Sequence, residues 1–130
     1  MNLRSILAEC ELFAQLTPDV LDALVAHATP LTLRGGSKLF ATGDPSDAMF
    51  IVATGRLKVT LADGSFLGYA GRLDPLGEIG LISGEARSSA VHAIRDNPLT
   101  RIGRSDLLAF LLAHRHARVE KARVVIRQLT

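Results

Sequence analysis

Cysteine is almost missing from this chain: of 130 residues, only Cys10 is one. A lone thiol excludes an internal disulfide and any multi-cysteine metal or iron–sulfur centre within these residues, and it fits a reducing compartment, so a cytoplasmic protein is expected. Cys10 reads as a small apolar helix residue and not as a nucleophile. Long hydrophobic runs are missing too. No stretch reaches the ~18 apolar residues needed to cross a bilayer, and the opening Met1-Asn2-Leu3-Arg4-Ser5-Ile6-Leu7 lacks a signal-peptide pattern, so no membrane span is expected. Charge excess is small, formally +2, which is too little to announce nucleic-acid binding. Signatures of catalysis are absent as well: there is no Gly-x-x-x-x-Gly-Lys loop, no Ser-His-Asp arrangement and no convincing pair of carboxylates. Catalytic residues and metal ligands are therefore expected to be none. A metal-dependent jelly-roll enzyme is the lesser alternative, because it needs several inward His or Glu residues on strands and only His92 falls on one. Internal repeats and low-complexity segments are not found.

What is present is a globular composition, 48% hydrophobic and 22% charged, in a length that suits one domain, residues 1–130, with a core of its own. Two short helices are expected within residues 3–28. Leu3, Ile6 and Leu7 recur at helical spacing after Asn2, while Thr17-Pro18-Asp19 supplies a cap, a first-turn proline and an acid that complements the dipole. Leu21, Leu24 and Val25 give the second helix its apolar stripe, and His27 near its end reads as structural.

Residues 29–104 have a β texture. Candidate strands run over 31–34, 38–41, 48–53, 56–61, 65–70, 89–94 and 99–103, broken at Gly35-Gly36, Gly43-Asp44-Pro45, Gly55, Asp63-Gly64 and Asp96-Asn97-Pro98. Asp63-Gly64 is the strongest hairpin signal. Many short strands at regular intervals point to a sandwich, jelly roll or barrel, not to a parallel α/β sheet. Two helices are expected over 105–130: one capped by Ser105, and one over about 117–129 with Val119, Ala122, Val125, Ile126 and Leu129 broadly on one side. His114 and His116 mark the hinge or helix end between them. The closing Arg115, Arg118, Lys121, Arg123 and Arg127 face only Glu120, which reads first as a solvated helix face and second as a contact for an acidic partner.

The window 77–90 carries the most chemistry. Gly77 and Gly80 let a ligand approach the backbone, Glu78 offers a carboxylate, and Arg87 offers a permanently charged planar fork of donors suited to two phosphate oxygens. Residues 79–83 can form a short helical turn whose first amides, beginning at Ile79, are free to meet an anion. Taken singly these residues also allow a plainer arrangement, in which Glu78 pairs with Arg87 and holds a loop shut.

Together, Leu76-Gly77-Glu78-Ile79-Gly80-Leu81 and Arg87-Ser88-Ser89-Ala90 resemble the phosphate-binding cassette of the cyclic nucleotide-binding domains. Leu76 stands where that family usually has phenylalanine, and Ser89 where it usually has alanine. Gly43-Asp44-Pro45-Ser46-Asp47, followed by Met49-Phe50-Ile51-Val52 and Gly55, is similar to the family's Gly-Asp, strand, Gly stretch. The resemblance implies an α+β, mainly β fold, an antiparallel jelly-roll-like β-roll flanked by N-terminal and C-terminal helices. It implies a ligand site of Gly77, Glu78, Ile79, Gly80, Arg87, Ser88 and Ser89, with Glu78 on a ribose hydroxyl and Arg87 on a cyclic phosphate. The implied ligand is cyclic AMP on family frequency, with cyclic GMP left open, and no cofactor is implied. The implied role is a regulatory sensor, with transcription regulation among its outputs, whose terminal helices carry the signal and whose last helix closes over the base near residues 123–128. Val125, Ile126 and Leu129 would suit a homodimer. No direct DNA contact is expected, because nothing after residue 105 resembles a recognition helix after a short turn. A β-roll that has lost its ligand and serves as an interaction module is the remaining alternative.

Overall fold

Two four-stranded antiparallel sheets face each other, and helices cover one side of the pair. A computed structural model describes residues 2–117 and residue 119. The chain opens with α1 (Leu3–Glu9), whose first turn is closed by the Asn2 side chain accepting from the Ser5 amide at 2.8 Å. A 3₁₀ turn (Glu11–Phe13) and α2 (Pro18–Val25) follow. Thr17 does occupy the cap of α2, but its hydroxyl bonds the Asp19 side chain, not a backbone amide. That bond holds the Asp19 carboxyl below the usual carboxylate range.

The strands are β1 (Ala28–Leu33), β2 (Lys38–Phe40), β3 (Ala48–Val52), β4 (Leu57–Leu61), β5 (Phe66–Ala70), β6 (Pro75–Leu76), β7 (Ser89–Ala93) and β8 (Asn97–Gly103). One sheet has the order β1-β8-β3-β6 and the other β2-β7-β4-β5. This is the jelly-roll-like β-roll with flanking helices that the sequence implies. Asp63-Gly64 forms the β4–β5 turn, with the Asp63 carboxylate accepting from the Ser65 amide at 2.9 Å and the Ser65 hydroxyl at 2.6 Å.

Alternation along β3 explains how the layers are held. All five of its residues are buried, because both of its faces are covered. Ala48, Phe50 and Val52 pack between the sheets with Leu57, Val91 and Leu99. Met49 and Ile51 join the helical side, with Leu7, Leu24, Ile102 and Phe110. Burying such side chains contributes about 1.5–3 kcal/mol each, so the first cluster holds the two sheets together and the second anchors the helices to the roll.

Local signals misplace four features. β1 begins at Ala28, inside the span assigned to helix. Asn97 and Pro98 of the expected Asp96-Asn97-Pro98 break belong to β8, Asn97 opposite Leu33 and Pro98 opposite Thr32. Ser105 does not cap its helix. α4 (Arg104–Ala113) starts two residues earlier than a Ser105 cap implies, with Gly103 at the cap and the Arg104 amide bonded to the Asp47 carbonyl at 2.8 Å. The two-residue β6 was not anticipated at all. α3 (Glu78–Ser83) fills the place expected for a helical turn. His114 stands at the C-cap of α4, and Cys10 is buried where α1 meets the 3₁₀ turn. Of the helix expected over 117–129 only Ala117 and Val119 are described, and neither is helical; the lid near 123–128 and the dimer contact of Val125, Ile126 and Leu129 lie outside the described residues. No helix among the described residues is long and apolar enough to cross a membrane.

Candidate functional site

Arg87 is the feature around which this end of the roll is built. It leads into β7, and its own backbone is clamped by the β2–β3 loop: the Gly43 amide donates to the Arg87 carbonyl and the Arg87 amide to the Asp44 carbonyl, each at 2.8 Å. That loop is stiffened in turn by the Asp44 carboxylate, which accepts from the Ala41 amide at 2.8 Å. With the main chain fixed at both groups, the side chain runs inward, and the residue is only 5% exposed.

Its guanidinium lies 4.2 Å from the centre of the Phe40 ring, in cation–π contact. Nη1 donates to the Gly77 carbonyl at 3.2 Å and Nη2 to the Ala48 carbonyl at 2.5 Å. Nε is buried and has no hydrogen-bond partner among the described residues. Burial pulls the group below the ordinary arginine range, while the charges of Asp47 and Asp44 work in the opposite direction. None of the ion pairs among the described residues includes Arg87. The plainer arrangement, a loop shut by a Glu78–Arg87 ion pair, is therefore not what the fold adopts. A cation held by neutral carbonyls on a low-dielectric floor, with Asp44 and Asp47 acting on it but not in a direct ion pair, lacks the close partner that normally accompanies burial.

Gly77 explains how the guanidinium comes so close. Its φ of +82° lies in the left-handed region, and a Cβ there would meet Arg87 Nη1 at 2.2 Å. Glycine meets both demands. Gly80, one turn on, leaves the space that Ser46 fills, and the Ser46 hydroxyl donates to the Glu85 carbonyl at 2.6 Å, pinning the stretch between α3 and Arg87.

The result is a cavity of about 200 Å³ lined by Gly77, Glu78, Gly80, Arg87, Ser88 and Ser89, with Phe40, Ser46, Val59 and Val91 among its other walls. Six of the seven residues singled out from the sequence line this one space. The seventh, Ile79, lies in the first turn of α3, where backbone amides have no intrahelical partner. Phe40, Ser46 and the Ala48 carbonyl were not anticipated. Among the described residues no three His, Cys, Asp or Glu side chains gather as a metal cluster, and His92 is flanked across the sheet by Lys38 and Lys58.

A family model described as the cyclic nucleotide-binding domain matches residues 30–114. The chain belongs to that family. The N-terminal domain of a transcriptional regulator from Streptomyces coelicolor is a structural neighbour at a TM-score of 0.78 and 31% identity, covering 95% of this chain and 91% of that one. The regulatory domain of Toxoplasma gondii PKA, solved with cAMP, superposes at a TM-score of 0.75 and 25% identity, over 83% of this chain and 42% of that one. Among curated proteins, an uncharacterised NTE family protein of Mycobacterium tuberculosis is 29% identical over 99 residues, which is 76% of this chain. The chain spans 17% of that relative's length.

Proposed function

We propose that this cyclic nucleotide-binding domain takes up cyclic AMP in the Arg87 cavity and works as a non-catalytic regulatory sensor, one domain of a cytoplasmic protein. The observation that carries the reading is the buried guanidinium of Arg87, in no ion pair among the described residues, on the wall of an open cavity. A cyclic phosphate brings the missing negative charge and acceptors for a forked donor. In this reading the amides at Ile79 and Gly80 complete the phosphate site, Glu78 takes the ribose 2′-hydroxyl, and Ser88 and Ser89 add hydroxyls at the rim. The volume of about 200 Å³ is smaller than the roughly 300–1,000 Å³ of drug-sized pockets. It suits the ribose and phosphate, with the base projecting towards the mouth.

Signalling follows only if the ligand favours one of two helix arrangements. The route in this reading is α3, whose Leu81 packs in the same apolar cluster as Leu107, Phe110 and Leu111 of α4. A ligand that tightens the stretch 77–87 then biases the segment after α4. Preference for cyclic AMP rests on the cyclic AMP complex of the PKA relative.

Calorimetric titration with cyclic AMP and cyclic GMP tests the proposal, together with melting curves. Cyclic AMP at a hundred times its Kd should stabilise the fold by about 2.7 kcal/mol. Unchanged melting at millimolar concentrations of both nucleotides overturns the binding function. Tighter binding of cyclic GMP overturns the base preference alone.

A further inference from the structure

The β4–β5 hairpin carries a surface that nucleotide binding does not use. Of the six large hydrophobic side chains exposed among the described residues, four lie here: Leu61 at 40%, Phe66 at 52%, Leu67 at 60% and Tyr69 at 50%. Soluble proteins scatter such residues, so their gathering on one hairpin marks a contact surface. The register places Lys58 opposite Tyr69 and Thr60 opposite Phe66, so these side chains share the face turned away from the inter-sheet core. An irregularity in pairing beside Val59 and Thr60 leaves Leu67 as the extra residue.

The charge on this face has one sign. Arg56 lies 4.3 Å over the Tyr69 ring and Lys58 lies 5.7 Å from the Phe66 ring centre. Neither cation belongs to an ion pair among the described residues. The four strands of this sheet contain no carboxylate, and the nearby Asp63 is committed to Ser65 in the turn. β5 is also the outer strand of its sheet, and no strand among the described residues pairs with its other edge of backbone donors and acceptors.

We propose that this hairpin docks an acidic, extended segment of a partner protein, laid along β5 with its carboxylates on Arg56 and Lys58. Charge complementarity selects an anionic partner. Backbone chemistry selects a peptide, because a strand edge finds both donors and acceptors in another strand. Single-stranded nucleic acid fits less well: Phe66 and Tyr69 meet edge to face at 60° and 5.0 Å, and cations already cover their faces, so bases lack a flat platform. An anionic bilayer would leave the β5 edge facing hydrocarbon without partners.

The test is NMR titration of the isotope-labelled chain with a synthetic peptide of alternating glutamate and valine. Parallel arms use alternating lysine and valine, oligodeoxythymidine, and phosphatidylserine vesicles. Amides of residues 56–58 and 66–70 should shift with the acidic peptide alone, and Arg56→Glu combined with Lys58→Glu should weaken its binding at least about tenfold. Phe66→Ser, which keeps both charges, should weaken it as well, and an unchanged melting temperature shows that each variant is folded. No shift at millimolar acidic peptide overturns the proposal, as does undiminished binding by the folded charge-reversed variant. Preferential binding of the oligonucleotide or the vesicles overturns it in favour of that partner.

Discussion

Arg87 and Asn97 occupy matching situations at two places in the roll. Each is a buried polar side chain, each donates to two backbone carbonyls, and each lies against a glycine at φ +82°. A Cβ on Gly77 would meet Arg87 Nη1 at 2.2 Å, and one on Gly55 would meet Asn97 Oδ1 at 2.1 Å. The difference lies in what remains unsatisfied. Asn97 is neutral, and its amide ties Arg56 and Arg95 across the β4 and β8 turns at 3.3 and 2.7 Å, leaving only one acceptor oxygen against the Gly55 α-carbon. Such a leftover costs little when a C–H group faces it. Arg87 leaves a full charge and a buried donor. The same packing device thus serves as a fastener at one place and as an unfinished site at the other.

Arg87→Met should separate the two roles most sharply. It removes the charge that a phosphate needs, so cyclic AMP affinity should fall by about 3 kcal/mol, more than a hundredfold. Ligand-free stability should change by less than about 1 kcal/mol, because relief of a desolvated cation offsets two lost hydrogen bonds. Calorimetry reads the first quantity and denaturant unfolding the second. A loss of ligand-free stability as large as the loss of affinity would make Arg87 a fastener after all.

Asn97→Ala should give the opposite pattern. Two carbonyls lose their donor in a buried corner, so stability should fall by about 2 kcal/mol, while the affinity of the folded fraction stays unchanged. Weakened affinity in protein that remains folded would mean that the corner and the cavity communicate.

Only one of these two places was legible from the sequence. Gly77, Glu78, Gly80 and Arg87 lie within eleven residues, so a local pattern holds both the chemistry and its geometry. Asn97 sits in Asp96-Asn97-Pro98, which turn rules read as a break, yet Asn97 and Pro98 open β8, a strand paired on both sides by β1 and β3. The Pro98 carbonyl still accepts from the Ala53 amide at 3.0 Å, so a proline is accommodated in an inner strand. Ser105 misled for the same reason: the chain enters α4 directly from β8, and the remote Asp47 carbonyl takes the Arg104 amide that a cap would have influenced. The hairpin at Asp63-Gly64 was legible because both of its strands and its turn chemistry are contiguous. Ser46 and Ala48 were not legible as site residues, since each reaches a partner 39 residues away. Short-range signals describe a hairpin or a cassette well, and they are silent on which distant loop completes it.

Phe40 gives the finest test of the comparison, because it touches Arg87 and has no counterpart beside Asn97. Its ring lies 4.2 Å beneath the guanidinium and 6.4 Å from the Phe50 ring, so it supports the charge from one side and the inter-sheet core from the other. Phe40→Leu keeps most of the apolar volume and removes the π face, which should cost about 0.5–1 kcal/mol of cation–π interaction. If the ring only makes burial of the cation tolerable, that cost appears in the ligand-free protein and affinity holds or rises. If the ring also orients the fork towards the phosphate, affinity falls two- to fivefold, about 0.5–1 kcal/mol, in addition to that cost in unfolding. The second outcome is expected, because Nη1 and Nη2 already hold the Gly77 and Ala48 carbonyls and the ring plane is what fixes the remaining tilt. Paired calorimetry and unfolding on this single variant decide between them.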